Sequence, residues 1–152
     1  MARPVNTQTV SSFDRLQFLL GTWDAKGANE LGSAEGSTSF TRELNSHVII
    51  RRNFAEYSSG AEAGTRHDDL LVIYEEAPNA GAHAIYFDSE GHVIRYAITA
   101  SENSAIFLSE AAPGPKFRLT YIRQGDTLNG KFEQAMPGND FKIYVSWTSV
   151  KR

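Results

Sequence analysis

The sequence predicts an all-β protein, a closed antiparallel meander barrel of about ten strands with a short N-terminal helix. Three observations carry this. From Thr22 onward, apolar and polar residues alternate with a period of two in one segment after another. Clusters of Gly, Pro, Asn, Asp and Ser interrupt the alternation at short intervals, as hairpin turns require. After the N-terminal run, no stretch has a helical pattern long enough for a crossover between parallel strands. An open sheet of this length would leave two exposed edges, and closure removes both.

Residues 1–10 read as a flexible leader, and 11–152 as a single domain. Ser11 or Ser12 can cap a short helix by accepting from its free N–H groups. Phe13, Leu16 and Leu20 share a helical face, and Gly21 is a suitable stop. The first strand follows at 22–28, with a turn over 29–33. The second, 34–44, places Thr38, Phe40, Arg42 and Leu44 on one face. Asn45-Ser46 suits a two-residue hairpin turn into the third strand, 47–57, where Val48, Ile50, Arg52 and Phe54 make the more apolar face. Ser58–Gly64 is a small, polar loop. Strand four, 66–76, contains the run Leu70-Leu71-Val72-Ile73-Tyr74, which reads as buried on both faces. The remaining strands fall at 82–88, 92–100, 104–111, 116–123, 127–135 and 141–150, the last alternating Phe141, Ile143, Val145 and Trp147.

Composition excludes several classes of function. The net charge of −3 offers no basic footprint for nucleic acid. Without cysteine there is no disulfide, thiol nucleophile or thiolate metal site, which suits a cytoplasmic address. No stretch approaches the ~20 apolar residues of a spanning helix, so no membrane insertion is expected. A serine-nucleophile elbow and a Gly-rich phosphate loop are both missing.

Gly21-Thr22-Trp23, directly after the short helix, resembles the Gly-x-Trp signature that opens lipocalin-type barrels. The strand count and helical plug are similar to the fatty-acid-binding and nitrobindin-like branch of the calycin superfamily. Tyr86-Phe87-Asp88-Ser89-Glu90-Gly91-His92 and Gly130-Lys131-Phe132-Glu133 with Pro137-Gly138 are similar to small bacterial lipocalin-like domains of unknown function. The resemblance implies a cavity that binds a small molecule. Two departures narrow it. Nitrobindin-like proteins hold haem through a late histidine, whereas the last histidine here is His92. The fatty-acid clamp Arg-x-Tyr on the final strand is replaced by Lys142-Ile143-Tyr144.

Polar residues on apolar strand faces are the candidate ligand contacts. Arg42 lies with Phe40, Arg52 with Ile50 and Phe54, Tyr96 with Ile94 and Ile98, Tyr121 with Phe117 and Leu119, and Gln134 with Phe132. An inward arginine needs an anionic partner, either an acidic ligand or a protein carboxylate. Trp23 and Trp147, on the first and last strands, are candidates for barrel closure or the cavity wall. Asp68-Asp69 and Glu75-Glu76 read as solvated strand ends, and the four histidines as surface or turn residues. His67 and Asp69 nevertheless share a strand face. No metal, cofactor or catalytic residue is assigned. The expected function is binding of a small, largely apolar molecule with a polar or acidic group. The alternative is a metal-independent lyase or isomerase using His67, Tyr96 and Arg52. An exposed barrel face would also permit a homodimer.

Overall fold

The computed structural model describes residues 11–152; the expected leader, 1–10, lies outside the described residues. Ser11 caps helix α1 (Ser12–Arg15), its Oγ accepting from Asp14 N–H at 3.1 Å. The chain tightens into a 3₁₀ turn over Leu16–Leu19. Gly21, at φ +120°, then releases it into the first strand. Phe13, Leu16, Phe18 and Leu19 are buried. This segment plugs one end of the barrel. Trp23 Nε1–H donates to Leu19 O at 2.8 Å, and an Arg123 guanidinium N–H donates to Phe18 O at 2.9 Å.

Ten strands follow: β1 (Gly21–Asn29), β2 (Gly32–Glu43), β3 (Val48–Tyr57), β4 (Arg66–Glu75), β5 (Ala82–Asp88), β6 (Val93–Ala100), β7 (Ser104–Ser109), β8 (Lys116–Gln124), β9 (Thr127–Ala135) and β10 (Lys142–Lys151). Each pairs antiparallel with its sequence neighbour, and β10 returns to β1 to close the barrel. The expected architecture is therefore the observed one. The β2–β3 turn falls on Asn45-Ser46, at φ 55° and 65°, the positive values that a two-residue hairpin turn demands.

Four face assignments differ from expectation. In β3 the buried residues are Ile49 and Arg51, while Arg52 is exposed. The inward face is the less apolar one because it carries polar side chains that find partners inside. In β4 only Leu71 and Ile73 are fully buried, with Leu70, Val72 and Tyr74 half-buried, because a closed barrel has a single interior. In β10 a bulge between Ile143 and Val145 breaks the alternation, leaving Ile143 exposed and Trp147 half-buried. Leu44, expected on the inner face of β2, sits in the turn with its side chain exposed.

The plugged half of the lumen is solid. Trp23, Phe40, Leu71, Ile73, Phe107 and Leu128 are essentially inaccessible there. Each such side chain contributes about 1.5–3 kcal/mol on burial. Among the described residues no helix is long and apolar enough to cross a membrane.

Candidate functional site

Toward the unplugged end the side chains shrink. Ala25 and Gly27 on β1, Gly36 on β2 and Ala55 on β3 leave the lumen hollow, and a cavity of about 1220 Å³ opens there. Gly36 cannot carry a side chain: a Cβ would lie 2.2 Å from Phe54 O. One wall is aromatic. Phe117 and Phe132 stack with centroids 5.7 Å apart, and Tyr144 meets Phe132 edge-on at 6.1 Å. Trp147 lies flat against Gly130, where a Cβ would come within 2.3 Å of the indole.

The opposite wall, from β3, β4 and β5, is polar and tightly wired. Arg51, 4% exposed, pairs with Asp69, 5% exposed, and donates to the Tyr121 hydroxyl at 2.8 Å. Burial opposes the charge on Arg51, but Asp69 together with Tyr121 and Tyr86 offsets that and raises its pKa. Asn53 Nδ2–H donates to Asp69 Oδ2 at 2.8 Å, and Thr38 Oγ1–H donates to Asn53 Oδ1. His67 completes the set: Nε2 lies 3.0 Å from Asp69 Oδ2, and Nδ1 lies 3.0 Å from Glu90 Oε2. The bond to Asp69, aided by Glu90 and against partial burial, pushes the His67 pKa up to about 9. It is an imidazolium at neutral pH, donating from both nitrogens. Asp69 responds in kind. Burial works against its charge, but Arg51, His67 and Asn53 hold its carboxyl below the usual range.

Tyr86 extends the network. Its hydroxyl donates to Asp88 Oδ2 at 3.0 Å and lies 3.2 Å from His67 Nε2. Burial first, then Asp69 and Asp88, raise its pKa, so it stays a neutral phenol. Asp88 is anchored by the β5–β6 turn, accepting from Glu90 N–H at 3.0 Å and His92 N–H at 2.9 Å. His67, Asp88 and Glu90 offer ligand atoms within 4.8 Å of one another, a spacing that could converge on a cation. In this structure those atoms are already engaged: both His67 nitrogens face carboxylates, and both Asp88 oxygens accept hydrogen bonds. A cation would have to displace these bonds.

The sequence-predicted residues divide. Phe40, Tyr96 and Tyr121 point inward and are buried, linked by edge-on contacts: Phe40–Tyr121 at 5.6 Å, and Tyr96 and Tyr121 each 6.1 Å from Phe107. Tyr96 and Gln134 line the cavity. Burial raises the Tyr96 pKa, and no hydrogen bond among the described residues engages its hydroxyl. Trp147 forms cavity wall, with its ring 6.1 Å from Tyr121. Trp23 belongs to the plug, on the strand that closes against β10. Arg42 is also at the plugged end, its guanidinium 5.7 Å from the Phe13 ring centroid. Arg52 is outside the lumen, in a shallow outer groove with Arg66 and Asp68.

Arg51 and Asn53 were not singled out from sequence, and Tyr86 and Asp88 entered only through the resemblance motif, with no site role. The reading of Asp69 as a solvated strand end is corrected, since its side chain lies inside the barrel against Arg51. One signal was present. A two-residue turn at Asn45-Ser46 sets Phe40 opposite Arg51, and directly paired residues share a face. Phe40 inward therefore requires Arg51 inward.

The chain matches no protein-family model and no curated protein. What stands is the architecture itself, a closed ten-strand antiparallel barrel with a short helix, compatible with a calycin-like fold.

Proposed function

We propose that the barrel is a calycin-like container that binds a small, largely apolar molecule with one polar end. The single observation behind this reading is the two-sided cavity: an aromatic wall of Phe117, Phe132 and Trp147 faces a hydrogen-bonded wall of Arg51, His67 and Asp69. The aromatics supply contact area. Tyr96 and Gln134, which line the cavity, orient the polar end. Phe40 and Tyr121 support this wall from behind. Arg42 and Arg52 take no part, given their positions outside the cavity.

The charge balance refines the ligand class. Arg51 and His67 face three carboxylates, Asp69, Asp88 and Glu90. Lys26 and Lys131, also along the lining, pair with Glu35 and Glu133. Among the described residues the cavity has no positive charge left over for an acidic ligand, so a hydroxyl, amide or similar hydrogen-bonding group fits better than a carboxylate. Native mass spectrometry of the purified protein tests the reading, together with titration by the neutral apolar dye N-phenyl-1-naphthylamine. A co-purifying molecule, or dye binding weakened at least tenfold by Trp147→Ala, supports it. A protein that carries nothing and binds dye no better than Trp147→Ala refutes it.

A second reading, proton-transfer catalysis of the lyase or isomerase type, draws on one observation. His67, an imidazolium in contact with the cavity, sits within hydrogen-bond reach of Tyr86. Such a group would protonate a developing oxyanion as a general acid. His67→Gln would abolish turnover while leaving ligand affinity within a few-fold; equal loss of both assigns His67 to binding alone.

A further inference from the structure

β1 and β10 close the barrel over only three backbone pairs: Trp23 with Lys151, Asp24 with Val150 and Ala25 with Ser149. Beyond Ala25 the two strands part. β1 continues through Lys26–Asn29 paired with β2 alone, and β10 runs from Lys142 to Thr148 paired with β9 alone. Among the described residues, the facing edges have no strand partner there, over a longer run than at any other seam of the barrel. The cavity runs into this gap. Its lining passes from the inward-facing Ala25, Gly27 and Trp147 to the outward-facing Lys26, Ala28 and Thr148. Gly27, at φ +147°, borders open space: a Cβ there would meet nothing within 4 Å.

Among the described residues, one side chain bridges the gap by hydrogen bonds. Glu30, just past the end of β1, reaches across to β10, where its carboxylate accepts from Ser146 N–H at 2.7 Å and from Ser146 Oγ–H. A carboxylate thus takes the place of the missing strand as partner to that backbone N–H. Burial works against the Glu30 charge, but the Ser146 bonds hold its pKa below the ordinary value.

We propose that this slot between β1 and β10 is the route by which a ligand reaches and leaves the cavity, with Glu30–Ser146 as its latch. The proposal rests on the reading that the cavity binds a small molecule. The slot is the easiest part of the wall to open. Widening it breaks two hydrogen bonds from one side chain and no ladder bonds, whereas parting any other seam breaks a run of backbone pairs. It also suits the cargo. The axial mouth is ringed by Glu62, Asp88, Glu90 and His92, while the slot edge on β1, Lys26-Gly27-Ala28-Asn29, carries one charged side chain beside the Glu30 latch. A largely apolar molecule crosses the second with less desolvation of charged groups.

Two measurements test it. Trp147 faces the slot and Trp23 is fully buried, so acrylamide quenching of the tryptophan fluorescence reports slot opening without any ligand. Glu30→Ala is expected to raise the quenching constant at least twofold, and Glu62→Ala, at the axial mouth, to leave it unchanged. In stopped-flow mixing with the neutral dye N-phenyl-1-naphthylamine, Glu30→Ala should speed association and dissociation by a common factor of three or more, with Kd within twofold. Ala28→Trp should slow both. Unchanged quenching and unchanged rates in Glu30→Ala overturn the proposal, as does acceleration in Glu62→Ala instead. Failure of wild-type protein to bind the dye would refute the container reading, and the quenching experiment would still decide the slot on its own.

Discussion

The buried pair of Arg51 and Asp69 is the point at which the cavity wall is most vulnerable. Asp69→Asn keeps shape and volume but removes the charge that compensates a guanidinium only 4% exposed. Breaking one side of a buried ion pair costs about 3–5 kcal/mol, because the remaining charge stays out of water without its partner. That is a large share of the ~5–15 kcal/mol that holds a domain together. With a urea dependence of about 2 kcal/mol per molar, the unfolding midpoint should fall by roughly 1.5–2.5 M. A double-mutant cycle separates the pair from its surroundings. Arg51→Met combined with Asp69→Asn should cost less than the sum of the single changes by at least ~2 kcal/mol, because the double variant leaves no unpaired charge. Urea unfolding followed by tryptophan fluorescence measures all four proteins. A single-variant cost below ~1 kcal/mol with additive behaviour in the cycle would refute the reasoning, since Arg51 would then not depend on Asp69.

Three further outcomes follow from the same geometry. His67 should titrate near 9 by NMR, and because its folded pKa is raised above 6.5, its contribution to stability is full below pH 6.5 and lost as the pH climbs through about 9; in Asp69→Asn the titration should fall back toward the ordinary value, and a midpoint near 6.5 in the wild type would contradict the arrangement. Gly130→Ala should drive the Trp147 indole off the wall, costing about 1–3 kcal/mol by overpacking and shifting the tryptophan emission, and an unchanged spectrum would count against the close contact. Arg52→Ala, on the exposed face, should change stability by less than ~0.5 kcal/mol and leave dye affinity as it was, whereas Arg51→Met should weaken it severalfold; the reverse order would restore the face assigned from sequence.

The barrel was legible because its signals are local. Alternation over a few residues marks a strand, positive-φ turn chemistry at Asn45-Ser46 marks a hairpin, and Ser11 with Gly21 brackets the plug. Parts of the site were legible for the same reason: Phe40, Tyr96, Tyr121 and Gln134 follow their apolar neighbours inward. β3 was misread because its inner face is the more polar of the two, Ile49-Arg51-Asn53 against Ile50-Arg52-Phe54. Hydrophobic alternation ranks faces by apolar content, and that ranking fails where ion pairing inside the lumen offsets the cost of burial.

By itself the sequence determined the number of strands, their antiparallel order, the helical plug and the absence of thiol chemistry. Only the tertiary structure decided which face of β3 is inside, that Arg51, Asp69, His67 and Tyr86 converge from three strands, and that β1 and β10 part to leave a slot bridged by Glu30. The physical reason is one of range. Strand and turn propensities are settled within a few residues of chain, whereas the partner of a buried charge and the completeness of a seam depend on residues that closure brings together from distant parts of it.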